Sequence, residues 1–118
     1  MPTPTAPDAW PLPELHRARR AIVVVDVVES VRLMQEDESG FIDRWRRFVN
    51  QVRTEVLPAH GGRMVKSLGD GMLLEFERVP QAVAAAIDLL HRCRASAGRA
   101  ADALELRLGV NELSLIHI

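Results

Sequence analysis

One cysteine, Cys93, stands among the 118 residues, so no internal disulfide can form. Its place among helix-spaced apolar residues fits a small buried hydrophobe. No apolar run approaches the roughly 20 residues needed to cross a bilayer. The opening stretch from Met1 to Pro13 has no apolar segment of the kind that directs secretion. A cytoplasmic protein with no membrane segment is the expectation. A net charge of −1 supplies no general field for nucleic acid, which calls for a strongly basic face. His16, His60, His91 and His117 are scattered without ligand spacing and are assigned no role. Lysine is scarcer still. Of 15 lysines and arginines, Lys66 alone is lysine. Lysine presents a compact point charge on a slim stem and is not interchangeable with arginine, so its single use singles out Lys66, with drift on a solvated strand as the plainer alternative.

What is present suffices for one domain with one core, at 47% hydrophobic and 26% charged residues. Residues 1–19 hold most of the prolines and little that could pack, and are expected to be a disordered leader. Ala21 to Asp26 is a β-branched run that suits a central strand ending in a carboxylate. From Val28 the pattern turns helical. Val31 and Met34 indicate a short first helix, with a polar break at Gln35 to Gly40. A longer helix from about Gly40 to Ala59 carries the stripe Phe41, Trp45, Phe48, Val49, Val52 and Val56. Arg44, Arg46, Arg47 and Arg53 fall mostly off that stripe and read as a wet face rather than a phosphate clamp. Gly61-Gly62 stops the helix. Gly69-Asp70-Gly71 then joins two apolar-rich runs as a β-hairpin, with Lys66 on the strand entering it. Pro80 opens a further helix with Val83, Ala86, Ile87, Leu90 and Cys93 as its expected buried side. Leu104, Leu106, Leu108 and Val110 alternate with Glu105 and Arg107 as a last strand.

The order is βαββαβ, an α+β fold of ferredoxin-like type in which an antiparallel sheet carries its helices on one face. The right-handed crossover rule puts the first strand in the middle, antiparallel to the second hairpin strand. Asp26 and Asp70 then emerge at the same edge of the sheet. Two converging carboxylates repel unless a cation neutralises them, and Mg²⁺ is typically held by one or two carboxylates plus substrate oxygens. A turn aspartate beside a helix-capping aspartate is the plainer alternative.

At these residues the chain resembles the class III nucleotide cyclases. The matching pieces are Val25-Asp26-Val27-Val28-Glu29-Ser30-Val31-Arg32-Leu33-Met34, Glu36-Asp37-Glu38, and His60-Gly61-Gly62-Arg63-Met64-Val65-Lys66-Ser67-Leu68-Gly69-Asp70-Gly71. Glu75-Phe76, Ala82 to Ala86 and Arg107-Leu108-Gly109-Val110-Asn111 complete it in collinear order. The resemblance implies that Asp26 and Asp70 bind two Mg²⁺ or Mn²⁺ ions, with the Val27 carbonyl as a further ligand. It implies that the amides of Val28, Glu29 and Ser30 meet the β- and γ-phosphates, as helix N-termini do. Lys66 matches the position where adenylate cyclases read adenine with a lysine, which implies ATP as substrate and cyclic AMP and pyrophosphate as products. It further implies a homodimer in which Lys66 of one subunit serves the aspartates of the other.

Two departures accompany the match. Glu29 stands where the family more often has glycine. Beyond Asn111 the family pattern continues, whereas residues 112–118 diverge from it. The expectation is a cyclase domain over 20–111, truncated, with a tail that is not native, and inactive by itself because the transition-state Asn and Arg are missing. A non-catalytic nucleotide- or partner-binding module of the same fold is the alternative reading. A diguanylate cyclase is disfavoured because its Gly-Gly-Asp/Glu-Glu-Phe turn is not present.

Overall fold

The structure, a computed structural model, describes residues 16–95 and 104–117. Strand β1 (His16–Val27) is followed by helix α1 (Ser30–Glu36) and helix α2 (Glu38–Gln51). Helix α2 runs on through a π-helical turn (Val52–Val56) into α3 (Leu57–His60). Strands β2 (Arg63–Ser67) and β3 (Gly71–Phe76) form the hairpin, and α4 (Val79–Ala95) leads to β4 (Leu106–His117). The sheet order is β2-β3-β1-β4, with every pair antiparallel. This is the expected ferredoxin-like α+β arrangement, with β1 in the middle.

Residues of one parity on β1 face the helices. Ala21, Val23, Val25 and Val27 are buried there, together with Met72, Leu74 and Phe76 of β3. The α2 stripe is buried as the spacing predicts, from Phe41 through Val56. The helix begins two residues earlier than expected because Asp37 caps it, accepting from the Gly40 amide at 3.1 Å. It ends as expected at Gly61, which takes the left-handed conformation.

Helix α4 is rotated from the expected face. Ala82, Ala85, Ala86, Leu89 and Cys93 are buried, whereas Val83 and Ile87 are exposed. Both stripes have helical spacing. Alanines on the inner side let the helix approach the sheet closely, and the larger Val83 and Ile87 are left outside. On β4, Leu106 and Leu108 pack against the core and Leu104 does so just before the strand begins, while Val110 is more than a third exposed.

Strand β1 is longer than its β-branched run because His16 to Arg20 pair with Leu113 to His117. Residues 16–19, expected within the leader, are therefore strand, as are 112–117, expected as a divergent tail. The rest of the leader lies outside the described residues.

Candidate active site

Antiparallel pairing sets Asp26 of β1 opposite Gly71 of β3 and opposite Arg107 of β4. Asp70 precedes Gly71, so the two aspartates meet at one edge of the sheet, as the topology predicts. The Val27 amide donates to the Asp70 carbonyl at 3.0 Å, tying the end of β1 to the hairpin tip.

Gly71 is glycine for a reason other than turn geometry. Gly61 is the only glycine at positive φ among the described residues, so the Gly69-Asp70-Gly71 segment is not a turn that needs left-handed glycine. A Cβ at Gly71 would lie 2.9 Å from the Val25 carbonyl oxygen. Its missing side chain is what allows β3 to approach β1 beside the two acids.

Three contacts fix the Asp70 loop. The Ser30 hydroxyl donates to Asp70 Oδ2 at 2.8 Å. The Leu68 amide donates to the Gly71 carbonyl at 2.8 Å. The Trp45 indole N–H donates to the Leu68 carbonyl at 2.9 Å. Ser30 is the only polar side chain classed as buried among the described residues, and buried hydroxyls need such partners. Asp26 is about half exposed and has Arg107 Nη1 3.8 Å from its Oδ2.

Lys66 pairs with Leu73, which pairs with Val24, two residues before Asp26 on the same face of β1. Asp26, Asp70, Lys66 and Arg107 thus line one cleft of about 560 Å³ on the helix-free face, floored by Val24 and Leu73. Two acids and two bases share an apolar floor, a combination typical of ligand sites. Among the described residues no group of three or more His, Cys, Asp or Glu side chains is placed to hold a metal.

The turn between β1 and α1 has two features of its own. The Val28 amide donates to the Glu105 carbonyl at 2.8 Å and is thereby occupied. Glu29 adopts φ 56°, ψ 37°, the left-handed region that favours glycine. Its carboxylate pairs with Arg32 one turn along α1.

Reading the residues in sequence order missed three of these participants. The Ser30 hydroxyl was hidden behind its expected backbone role. Arg107 could have been found from strand alternation, which sets it on the face opposite the leucines and hence beside Asp26. Trp45 belonged to the apolar stripe, yet a buried indole requires an acceptor for its N–H.

No protein-family model matches the chain. A curated relative in Rhizobium meliloti, "Putative adenylate cyclase 3", is 35% identical over 104 residues, covering 82% of this chain and 17% of its own length. Among solved structures, an adenylate/guanylate cyclase/hydrolase from Silicibacter pomeroyi superposes with a TM-score of 0.73 at 24% identity. That match covers 88% of this chain and 62% of the other. The adenylyl cyclase CyaB from P. aeruginosa gives a TM-score of 0.69 at 19% identity, over 87% and 60% of the two chains. Guanylyl cyclases are matched as well. The chain spans about a sixth of the curated relative and about three-fifths of these solved chains.

Proposed function

We propose that this chain, which resembles the class III nucleotide cyclases over most of its length, is the metal- and purine-binding part of an adenylate cyclase, converting ATP to cyclic AMP and pyrophosphate. The observation that carries this reading is the convergence of Asp26 and Asp70 at one edge of the sheet, with Lys66 exposed on the same helix-free face.

The donor set fits a hard divalent cation. Two carboxylates and the Val27 carbonyl offer oxygen only, and Mg²⁺ accepts one or two carboxylates when substrate phosphate oxygens complete its shell. Two such ions would lower the charge on the triphosphate and aid loss of the 3′-hydroxyl proton. The protein's own part is positional. Ser30 and Trp45 hold the Asp70 loop, and Arg107 balances Asp26. Lys66 supplies a donor to a ring acceptor of the base, as suits adenine, which has no carbonyl oxygen. The Val28 amide being occupied, the amides of Glu29 and Ser30 are left to meet phosphate at the start of α1.

The reaction is attack of the ribose 3′-oxygen on the α-phosphorus, which forms the cyclic ester bond and breaks the bond to pyrophosphate. In a homodimer the helix-free face would meet its partner, and Lys66 of one subunit would serve the aspartates of the other. No helix among the described residues is long and apolar enough to cross a membrane. Binding of Mn²⁺ with a non-cyclisable ATP analogue, followed by electron paramagnetic resonance, tests the metal assignment without turnover. Asp26→Asn and Asp70→Asn should each lower the bound Mn²⁺ at least tenfold in affinity. Undiminished binding in both would remove them from the metal site.

A further inference from the structure

A second cleft, of about 570 Å³, lies between α2 and the hairpin tip, and shares only Leu68 with the cleft of Asp26 and Asp70. Arg46, Asn50 and Arg53 line one wall at i, i+4 and i+7 along the helix. Ser67, Leu68 and Gly69 form the other. No carboxylate lines it.

The arginines here are unlike their neighbours. Arg47 pairs with Asp43 at 2.8 Å, and Arg44 donates to the Gly40 carbonyl. Arg46 and Arg53 make neither an ion pair nor a side-chain hydrogen bond among the described residues. Asn50, between them, is likewise unbonded through its amide side chain. Their backbones are roughly 10 Å apart along the axis, close enough for both guanidinium arms to reach a group seated over Asn50. Two arginines and an amide suit a phosphate, which accepts bidentate bonds from arginine.

The rest of the cleft is apolar and open. Leu68 is 52% exposed and Ile42 is 37% exposed. Nothing lies within 4 Å of where a Cβ on Gly69 would stand, so the space beside the hairpin tip is free. A bare inorganic ion would leave these surfaces wet, whereas an apolar body attached to the phosphate would cover them.

We propose that this cleft is a binding site for a small organic phosphate, with its phosphate on Arg46, Asn50 and Arg53 and its apolar part on Ile42 and Leu68. The proposal stands apart from the cyclase reading and does not need it.

Titration of the ¹⁵N-labelled full chain with phenyl phosphate, inorganic phosphate and benzyl alcohol tests it. Phenyl phosphate should move the amide signals of Arg46, Asn50, Arg53, Leu68 and Gly69, and bind at least tenfold tighter than either half-molecule. Arg46→Ala/Arg53→Ala should weaken it at least tenfold. Arg46→Gln/Arg53→Gln, which keeps most of the aliphatic stems, should do the same while leaving the thermal transition unchanged. Shifts confined to residues around Asp26 and Asp70 would overturn the proposal. So would undiminished affinity in the glutamine variant, or inorganic phosphate binding as tightly as the ester.

Discussion

Ser30 and Asp70, 40 residues apart in the chain, are joined by a hydrogen bond of 2.8 Å from hydroxyl to carboxylate. It fastens the first turn of α1 to the hairpin tip, so the helix start and one proposed metal ligand move together. Ser30→Ala removes the donor and should cost about 1 kcal/mol of stability. Partners of metal ligands typically carry a further 10- to 100-fold in metal affinity. In a polypeptide carrying this domain extended to the length of the solved cyclases, the Mg²⁺ concentration for half-maximal activity should therefore rise by about tenfold, with a smaller loss at saturating metal. A denaturant titration and a Mg²⁺ titration check the two effects separately.

Trp45 acts on the same loop from the other side. Trp45→Phe keeps most of the ring but leaves the Leu68 carbonyl without its indole donor. The expected cost is about 1–3 kcal/mol, with faster hydrogen exchange at Leu68 to Gly71. Equal exchange rates in the variant would show that the indole does not restrain the tip.

The framework was legible in the sequence because period and order are local signals. The α2 stripe, the hairpin and the position of Asp26 beside Asp70 all follow from spacing and chain order. The face of α4 was misread because its alanines pack while Val83 and Ile87 do not, and hydrophobic size gave the wrong phase. The extra length of β1 depends on pairing with Leu113 to His117, a long-range partnership that a local pattern cannot display. The occupied Val28 amide likewise depends on Glu105, 77 positions away by the numbering.

Glu29 in left-handed backbone is a second departure with an energetic sign. For L-residues that conformation costs roughly 1–2 kcal/mol. The exposed pair with Arg32 is screened by solvent and returns little of it. Glu29→Gly should thus stabilise the fold by about 0.5–1 kcal/mol and clear a carboxylate from the turn proposed to meet phosphate. An unchanged or lower Tm would contradict the strain.

Asp88 joins α3 to α4, accepting from Arg92 Nε at 2.7 Å and lying 2.9 Å from His60 Nε2. Burial alone would raise its pKa, but the hydrogen bonds with Arg92 and His60 outweigh it and hold the carboxyl below its usual 3.8. A carboxylate depressed in the folded state contributes stability above the unfolded value and loses it as pH falls through the folded one. Asp88→Asn should lower Tm by a few degrees at pH 7, and the gap to the parent should close as pH falls below about 4. A gap that persists undiminished at pH 2 would assign the effect to packing.

Under the proposed function, this domain makes cyclic AMP from ATP at Asp26 and Asp70, with Lys66 reading the base. The most direct measurement is cyclic nucleotide formation from ATP and from GTP with Mn²⁺. It is made in a polypeptide carrying this domain extended to the length of the solved cyclases. The expected result is cyclic AMP from the parent, its loss in Asp26→Asn and in Asp70→Asn, and a fall of at least tenfold in the ATP-over-GTP ratio of kcat/KM in Lys66→Glu. Near-parental cyclic AMP formation in either aspartate variant, or a ratio unmoved by Lys66→Glu, would contradict it.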